Sequence, residues 1–147
     1  MRRVLKKNGE QALGRSRGGF SCKIHITVDS LGNPLRFVLS AGHRHDIIHA
    51  YDLLSGFDFD RLIADRGYSA EHFVDYLLER NIEVVIPPHQ RAKILRDYDT
   101  WLYRERHLVE CFINKIKHFR RIFSRFEKLD RSFLGFLHFV GTLIWLR

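Results

Sequence analysis

Between positions 103 and 125, apolar side chains recur every three or four residues, which is the spacing of one face of an α-helix. We therefore predict a helix over 103–125 that packs this face into a core. The face comprises Leu108, Val109, Phe112, Ile116, Phe119 and Phe123. The nearly continuous apolar run over 129–146 predicts a second, buried helix that closes the domain.

Earlier in the chain, the pattern changes to the alternation that is typical of strands. Residues 20–28 alternate well enough for a strand, a Ser-Leu-Gly-Asn turn sequence follows, and residues 35–39 predict the returning strand of a β-hairpin. Asp29 precedes the turn and is expected to accept local backbone hydrogen bonds. Asp46 is expected to cap a short helix over 47–54, because its carboxylate can accept N–H groups of the first turn.

Two short apolar runs, 61–64 and 82–86, flank a segment with helical spacing, and they predict a β-α-β unit with parallel strands. Ser69 is expected to cap the intervening helix. Asp65 directly follows the first strand, and the carboxyl ends of such strands form the crevice where α/β sheets bind ligands. Asp65 is therefore a candidate site residue, although a loop acid that pairs with Arg66 would give the same pattern.

The predicted helix over 103–125 also carries polar residues beside its apolar face. Tyr103, Arg106, Glu110 and Lys117 fall within an arc of roughly 60° on an ideal helix. A carboxylate that is bracketed by basic groups suits a place where a metal ion and a phosphate backbone meet. The same spacing also fits a solvated amphipathic helix whose charges pair three or four residues apart. Spacing alone leaves both interpretations open.

Composition indicates one basic globular domain. A chain of 147 residues with 45% hydrophobic content can bury a single core. The net charge of +8 favours a polyanionic partner. Residues 1–19 are basic and glycine-rich without a hydrophobic period, so we expect a separate N-terminal segment before a domain over 20–147. Cys22 and Cys111 show no disulfide or zinc spacing. No apolar run is long enough to span a membrane, which favours a cytoplasmic protein.

The spacing of Tyr103, Arg106, Glu110 and Lys117 resembles the signature around the last catalytic acid of insertion-sequence DDE transposases, above all the insertion-sequence-five and insertion-sequence-four groups. The resemblance covers nearly the whole chain and keeps the order of the family. The segment that ends at Asp46 also resembles the family, which would place Asp46 near the active centre without making it a metal ligand. Four further segments share the resemblance: GRSRGGF (14–20), VDSLGNPL (28–35), LIADRGYS (62–69) and FRRIFSRFEK (119–128).

The resemblance implies an RNase H-like mixed sheet with flanking helices, which would form a DDE catalytic core over 20–147. In that family, acidic residues hold Mg²⁺ or Mn²⁺ for the cleavage and strand transfer of transposon ends. By motif, Asp65 matches the second aspartate and Glu110 the glutamate, so both would be catalytic and metal-binding. Six residues would contact DNA phosphates or extend that basic surface, the last three with solubility as an alternative role: Tyr103, Arg106, Lys117, Arg120, Arg121 and Arg125.

The chain departs from the family at its beginning. The first aspartate of the family lies upstream of the segment matching 14–20, and residues 1–13 offer only Glu10. We therefore expect the first acid and its strand to be missing and the isolated chain to be inactive. Either a transposase fragment from another reading frame would supply them, or the gene is a remnant. The active form would be a homo-oligomer on transposon-end and target DNA. The alternatives are an inactive DNA-binding domain, an oligomerisation domain, or another RNase H-like nuclease such as a junction resolvase.

Overall fold

The computed structural model describes residues 14–16, 19–92, 95–123 and 129–147. These residues form a mixed α/β architecture, as the sequence predicts. The strands are β1 (Gly14–Ser16), β2 (Gly19–Val28), β3 (Pro34–Ala41), β4 (Arg61–Ile63) and β5 (Glu83–Val85). The helices are α1 (Ala50–Leu54), α2 (Glu71–Leu78), α3 (His107–Lys117), α4 (Arg120–Phe123) and α5 (Asp130–Trp145). Short 3-10 helices cover Asp46–His49, Arg66–Tyr68 and Leu102–Arg106.

The predicted hairpin is confirmed. Strands β1, β2 and β3 form an antiparallel sheet in that order, and residues 22–28 of β2 pair along the whole of β3. The turn between them is held by Asp29, whose Oδ1 accepts the backbone N–H groups of Leu31 and Asn33 at 2.9 Å each. The carboxylate of Asp29 therefore serves the local turn, as expected.

The predicted β-α-β unit is also confirmed. Strands β4 and β5 pair in parallel, and α2 connects them. Helix α2 buries Phe73, Val74 and Leu77, and Phe73 and Leu77 belong to the apolar cluster that includes residues of this small sheet. The predicted cap at Ser69 is wrong, because the preceding 3-10 helix extends up to it and Ala70 takes the N-cap position without a side-chain bond.

The predicted helix cap at Asp46 is wrong as well. Asp46 is the first residue of a 3-10 helix, and His45 occupies the cap position without a side-chain hydrogen bond. The carboxylate of Asp46 instead accepts a hydrogen bond from Lys23 Nζ at 2.8 Å. The side chain of Asp46 therefore joins β2 to this 3-10 helix and leaves the first turn of the helix without a side-chain cap.

The helix predicted over 103–125 is broken into three parts. Its first residues form a 3-10 helix, α3 begins only at His107, and a turn separates α3 from α4. In that turn, the N–H groups of His118 and Phe119 bond to carbonyls three residues back. Six residues of continuous helix would point Ile122 away from the face of Ile116. The turn lets both side chains enter the same core, where they are 6% and 3% exposed.

Two apolar clusters hold the fold together, one behind each sheet. The first joins β3, α3, α4 and α5, and there Gly141 lets α5 approach within 3.2 Å of the Phe37 ring, measured from the position of an added Cβ. Its buried members are Phe37, Phe112, Ile116, Ile122, Phe133, Leu137 and Val140. The second joins α1 and α2 to the parallel strands, with Ala50, Phe73, Leu77, Ile82 and Ile86 buried.

Candidate active site

A cavity of about 630 Å³ lies between the two sheets. Residues 23–28 of β2 border it on one side, and residues 61–65, which include β4, border it on the other. The end of the 3-10 helix before α3 and the first turns of α3 complete the wall. Asp65, Arg106 and Glu110 all line this cavity. The fold therefore places the two predicted acids on the wall of the same cavity.

Asp65 is fixed by the turn that follows β4. Its Oδ1 accepts the backbone N–H of Gly67 at 2.8 Å, and its carbonyl accepts the N–H of Tyr68 at 3.1 Å. Asp65 therefore acts as the N-cap of the 3-10 helix that follows. A backbone that bends at once after a strand leaves the side chain at the edge of the sheet, facing the cavity.

Asp46 lies directly beside Asp65 at this cavity. A Cβ added at Gly67 would lie 2.8 Å from Asp46 Oδ2 and 3.0 Å from Asp65 Oδ1. Both carboxylates therefore approach the same point of the backbone, where only glycine leaves room. Lys23 balances this negative charge, since its Nζ contacts both Asp46 Oδ1 and the carbonyl of Arg44. The local sequence around Lys23 gives no sign of this role, because its partner lies on a distant element.

Glu110 projects from the first turns of α3 and pairs with Arg106. The distance from Arg106 Nη2 to Glu110 Oε1 is 2.5 Å, and the two side chains are 36% and 54% exposed. The guanidinium of Arg106 also lies 5.7 Å from the centre of the Tyr103 ring. Burial raises the pKa of Tyr103, Arg106 lowers it, and nearby Asp65 adds to the rise. Arg106 therefore lies between Tyr103 and Glu110, and Tyr103 lies close enough to Asp65 for the charge of that carboxylate to affect it.

A series of hydrogen bonds connects the turn after Asp65 to β2 and β3. His25 on β2 lies 2.7 Å from the Ser40 hydroxyl through Nε2 and 2.9 Å from the Tyr68 hydroxyl through Nδ1. Burial lowers the pKa of His25, so the ring is neutral at pH 7. Burial and the charges of Asp46 and Asp65 raise the pKa of Tyr68. The sequence did not predict these hydrogen bonds, because the three residues come from three separate elements.

The remaining predicted DNA contacts lie outside the cavity. Lys117 ends α3, about 10 Å along the helix axis from Glu110, and is exposed. Arg120 and Arg121 are exposed on α4, and the Arg121 guanidinium lies 5.8 Å from the Phe136 ring. Arg125 falls outside the described residues. These basic side chains therefore continue away from the acids along the α3–α4 surface.

The carboxylates fit a hard divalent ion, although they do not form a complete cage. Oxygen ligands of this kind suit Mg²⁺, which commonly takes one or two carboxylates and completes its shell with water and substrate phosphates. Within the described ranges, no group of three or more His, Cys, Asp or Glu side chains is arranged to hold a metal ion. Asp65 and Glu110 offer carboxylate oxygens to the same cavity.

Comparison with known proteins places this arrangement in a family. The model of the transposase DDE domain matches residues 5–143, so the chain belongs to the DDE transposase family. A protein named as a transposase of insertion sequence element IS6501 from Brucella ovis is 40% identical over 129 residues, which cover 85% of this chain and 98% of that protein. A protein named as a transposase of element IS402 from Burkholderia cepacia is 32% identical over 134 residues.

The second relative is longer than the matched region. The match covers 83% of this chain and 60% of the Burkholderia protein. No solved structure matches the chain. In the part of the chain that the structure describes, no helix is long and apolar enough to cross a membrane.

Proposed function

We propose that this chain is the catalytic core of an insertion-sequence transposase, which cleaves and joins DNA strands at transposon ends with the help of Mg²⁺ or Mn²⁺. Asp65 and Glu110 act as its metal-binding acids, and the core has an RNase H-like topology. The observation that supports this most directly is that both acids, from a strand end and a helix far apart in sequence, line one cavity. Membership of the DDE transposase family agrees with it.

The charged groups suggest how the site would act. A bound divalent ion would polarise the scissile phosphate and activate the attacking hydroxyl. The Gly67 N–H holds one oxygen of Asp65, which would fix this side chain at the cavity before a ligand binds. Asp65 and Glu110 would hold the ion, and Arg106 neutralises Glu110 in its absence. The planar group of Arg106 would be available to a phosphate oxygen, which it could bind in a bidentate manner.

The basic residues on α3 and α4 would place the DNA backbone across the cavity. Lys117, Arg120 and Arg121 lie on the surface that continues from Glu110. Their contacts would go to phosphates and would fix the register of the DNA without reading its sequence. Tyr103 packs close to Arg106 and would hold that guanidinium toward the acids. DNA as partner would associate the protein with the nucleoid, and the active form would be an oligomer.

We further propose that the chain alone is catalytically incomplete. Two-ion phosphoryl transfer needs enough carboxylates to hold two ions about 3.5–4 Å apart. Asp46 is a further acid that lies beside Asp65, but its carboxylate already forms an ion pair with Lys23. The first aspartate of the family would come from an upstream transposase fragment. The isolated chain should therefore bind DNA while it cleaves poorly.

The test uses a supercoiled plasmid that carries the element ends, with Mn²⁺, the purified chain and a candidate upstream fragment. Nicking should depend on the metal and on the fragment, and Asp65→Asn or Glu110→Gln should abolish it. Asp60→Asn and Glu71→Gln are matched controls, because these exposed acids do not line the cavity. Robust strand transfer by the chain alone would contradict the incompleteness, and unchanged nicking by both site variants would contradict the assignment of the acids.

The alternative is a transposase-derived domain that binds DNA without cleaving it. The basic α3–α4 surface favours this alternative, because its lysine and arginine side chains can bind DNA phosphates without any contribution from the carboxylates. In that case DNA affinity would fall steeply with salt, and no combination of metal and fragment would produce nicks. Glu110→Gln would then leave every measured property unchanged.

A further inference from the structure

The outer face of α5 carries no charged side chain along most of its length. Residues 132–146 contain no Asp, Glu, Lys or Arg, although such residues make up 29% of the chain. A helix at a protein surface normally turns charged residues to the solvent, and a helix that is apolar on all sides is normally buried. Helix α5 is buried on one side only, where Phe133, Leu137 and Val140 enter the core. Its opposite side therefore exposes a face that such a helix normally buries.

Exposed side chains without charge gather around the C-terminal half of α5. On the helix itself they recur at intervals of three and four residues, which places them on one broad face. Leu35 joins them from β3, because it lies on the strand face that carries Phe37, and α5 packs on that face. We call this surface the α5 patch. It comprises Leu35, Phe139, Thr142, Trp145 and Leu146.

The polar side-chain groups of the α5 patch already have partners within the chain. The Thr142 hydroxyl donates to the carbonyl of His138 at 2.9 Å, which leaves the threonine methyl group for the outer face. The indole Nε1 of Trp145 donates to the carbonyl of Pro34 at 2.8 Å. A partner can therefore exclude water from the patch without leaving either donor unsatisfied.

The size of the α5 patch suits a weak protein–protein interface. Its leucine, phenylalanine and tryptophan side chains are between 39% and 79% exposed. With full areas of about 150–250 Å² per side chain, these four residues leave roughly 400 Å² of apolar surface uncovered. Two such patches together amount to roughly 800 Å², and stable complexes normally bury about 1,600 Å², whereas weak ones bury less than about 1,200 Å². The area therefore predicts a partner that binds in the micromolar range.

The charge of the chain indicates which partner fits the α5 patch. Each copy has a net charge of +8, so most orientations of two copies bring like charges together. Two α5 patches can face each other without this repulsion, because none of their members is charged. DNA is a poor occupant, since the patch offers its phosphates no cation. No residue of α5 lines the cavity that holds Asp65 and Glu110, so a second copy bound here leaves that cavity open.

From these observations we propose that the α5 patch binds the same patch of a second copy, so that two chains form a symmetric dimer. The two α5 helices run antiparallel, with Thr142 near the two-fold axis and Phe139 of each copy against Leu146 of the other. A parallel arrangement would bring the two Arg147 side chains together and align the two helix dipoles, and both effects are unfavourable. The dimer gives the oligomer of the proposed function a surface, but the inference rests on the α5 patch and not on catalysis.

Sedimentation equilibrium of the full chain, over about 1–200 µM and without DNA or metal, tests the dimer. We expect a dissociation constant on the order of 10 µM. Phe139→Glu should raise it about tenfold or more, because it places a charge in both apolar contacts of the dimer. Leu78→Glu is the matched control, since Leu78 is 53% exposed on α2, outside the patch. Raising the salt from about 0.1 to 0.5 M should not weaken the dimer, because salt screens the repulsion between two basic copies.

Disulfide cross-linking tests the orientation of the two helices. The background is Cys111→Ser, which removes the exposed cysteine. Thr142→Cys should cross-link two copies under mild oxidation, because this position lies near the two-fold axis. Gly135→Cys, on the same helix face, is the matched control, since its two copies would lie about 20 Å apart along the antiparallel helices. Equal cross-linking at both positions would overturn the antiparallel arrangement.

Thermal unfolding confirms that Phe139→Glu folds, and Phe139→Ser replaces it if it does not. A chain that stays monomeric at about 200 µM would overturn the proposal. A dimer that Phe139→Glu leaves unchanged, or that Leu78→Glu weakens equally, would overturn it too. Because the measurement needs neither DNA nor metal, a dimer without any nicking would support the surface and refute the catalytic function. Nicking by a chain that is monomeric at every concentration would do the reverse.

Discussion

Replacing Gly67 by alanine should damage the proposed metal site while leaving the fold intact. An alanine Cβ would lie 2.8 Å from Asp46 Oδ2 and 3.0 Å from Asp65 Oδ1, and both distances are too short for a carbon–oxygen contact. The nearest atoms are the ends of two aspartate side chains, which can rotate away. The clash should therefore be relieved by moving the two carboxylates, of which Asp65 is the proposed metal ligand.

The effect on stability should be small because opposing contributions nearly cancel. Rotation of Asp65 breaks the hydrogen bond from the Gly67 N–H, which is worth about 1 kcal/mol. Alanine also restricts the unfolded chain, which stabilises the folded state by about 0.4–1 kcal/mol. The free energy of unfolding should thus change by less than about 1 kcal/mol. A ligand displaced by about 1 Å costs on the order of 100-fold in catalysis.

Urea unfolding and Mn²⁺-dependent nicking with the upstream fragment measure the two effects side by side. Gly135→Ala is the matched control, since nothing lies within 4 Å of its added Cβ on α5 and it should only stabilise the helix. If Gly67→Ala keeps full nicking while Asp65→Asn loses it, the carboxylate is not positioned by this turn. If Gly67→Ala unfolds the protein, the two aspartates are not free to rotate as we argue.

Three other predictions concern the fold and its dependence on pH. Glu110→Gln should lower the free energy of unfolding by less than about 0.5 kcal/mol, because the ion pair of Glu110 with Arg106 is solvent-exposed. A urea titration measures this change, and a larger loss would show that Glu110 stabilises the fold. Gly141→Ala should cost about 1–3 kcal/mol, since the added Cβ would lie 3.2 Å from the Phe37 ring in a packed core; an unchanged melting temperature would contradict this. Burial lowers the pKa of His25, so the unfolded chain binds a proton more readily. Stability should be complete above about pH 6.5 and fall as the pH drops below it, and His25→Gln should reduce this fall in urea titrations whereas the exposed His118→Gln should not.

The elements that local patterns determine were predictable from the sequence. Alternation predicts the hairpin because one face of β2 packs on the core, and the runs around α2 predict a parallel pair because a helix must connect them. The capping predictions failed at Asp46 and Ser69 for a different reason. A side chain that can cap a helix can also bind elsewhere, and Asp46 pairs with Lys23, which is distant in sequence.

The break after α3 also could not be predicted from local sequence, because it depends on packing against distant elements. Apolar spacing over 103–125 fits one helix, yet Ile116 and Ile122 reach a common core only when the chain turns at His118 and Phe119. That core is built by α5 and β3, which periodicity within one segment cannot reveal. Motif spacing did identify Asp65 and Glu110 as candidates. The hydrogen bonds that link Ser40, His25 and Tyr68 have no comparable sequence motif, because the three residues are far apart in the sequence.

For the proposed site, we predict that metal and DNA bind cooperatively. Each proposed acid already has a partner, Glu110 in the guanidinium of Arg106 and Asp65 in a backbone N–H, while Lys23 pairs with Asp46. An ion held by Asp65 and Glu110 would displace Arg106, and a phosphate would give that displaced cation a new partner. Each ligand would therefore lower the cost of binding the other, and linkage requires the two enhancements to be equal. Titrations of Mn²⁺ with and without DNA, and of DNA with and without Mn²⁺, should give the same factor, and Arg106→Met should reduce it toward one. Enhancements that survive Arg106→Met unchanged would show that the coupling runs through another group.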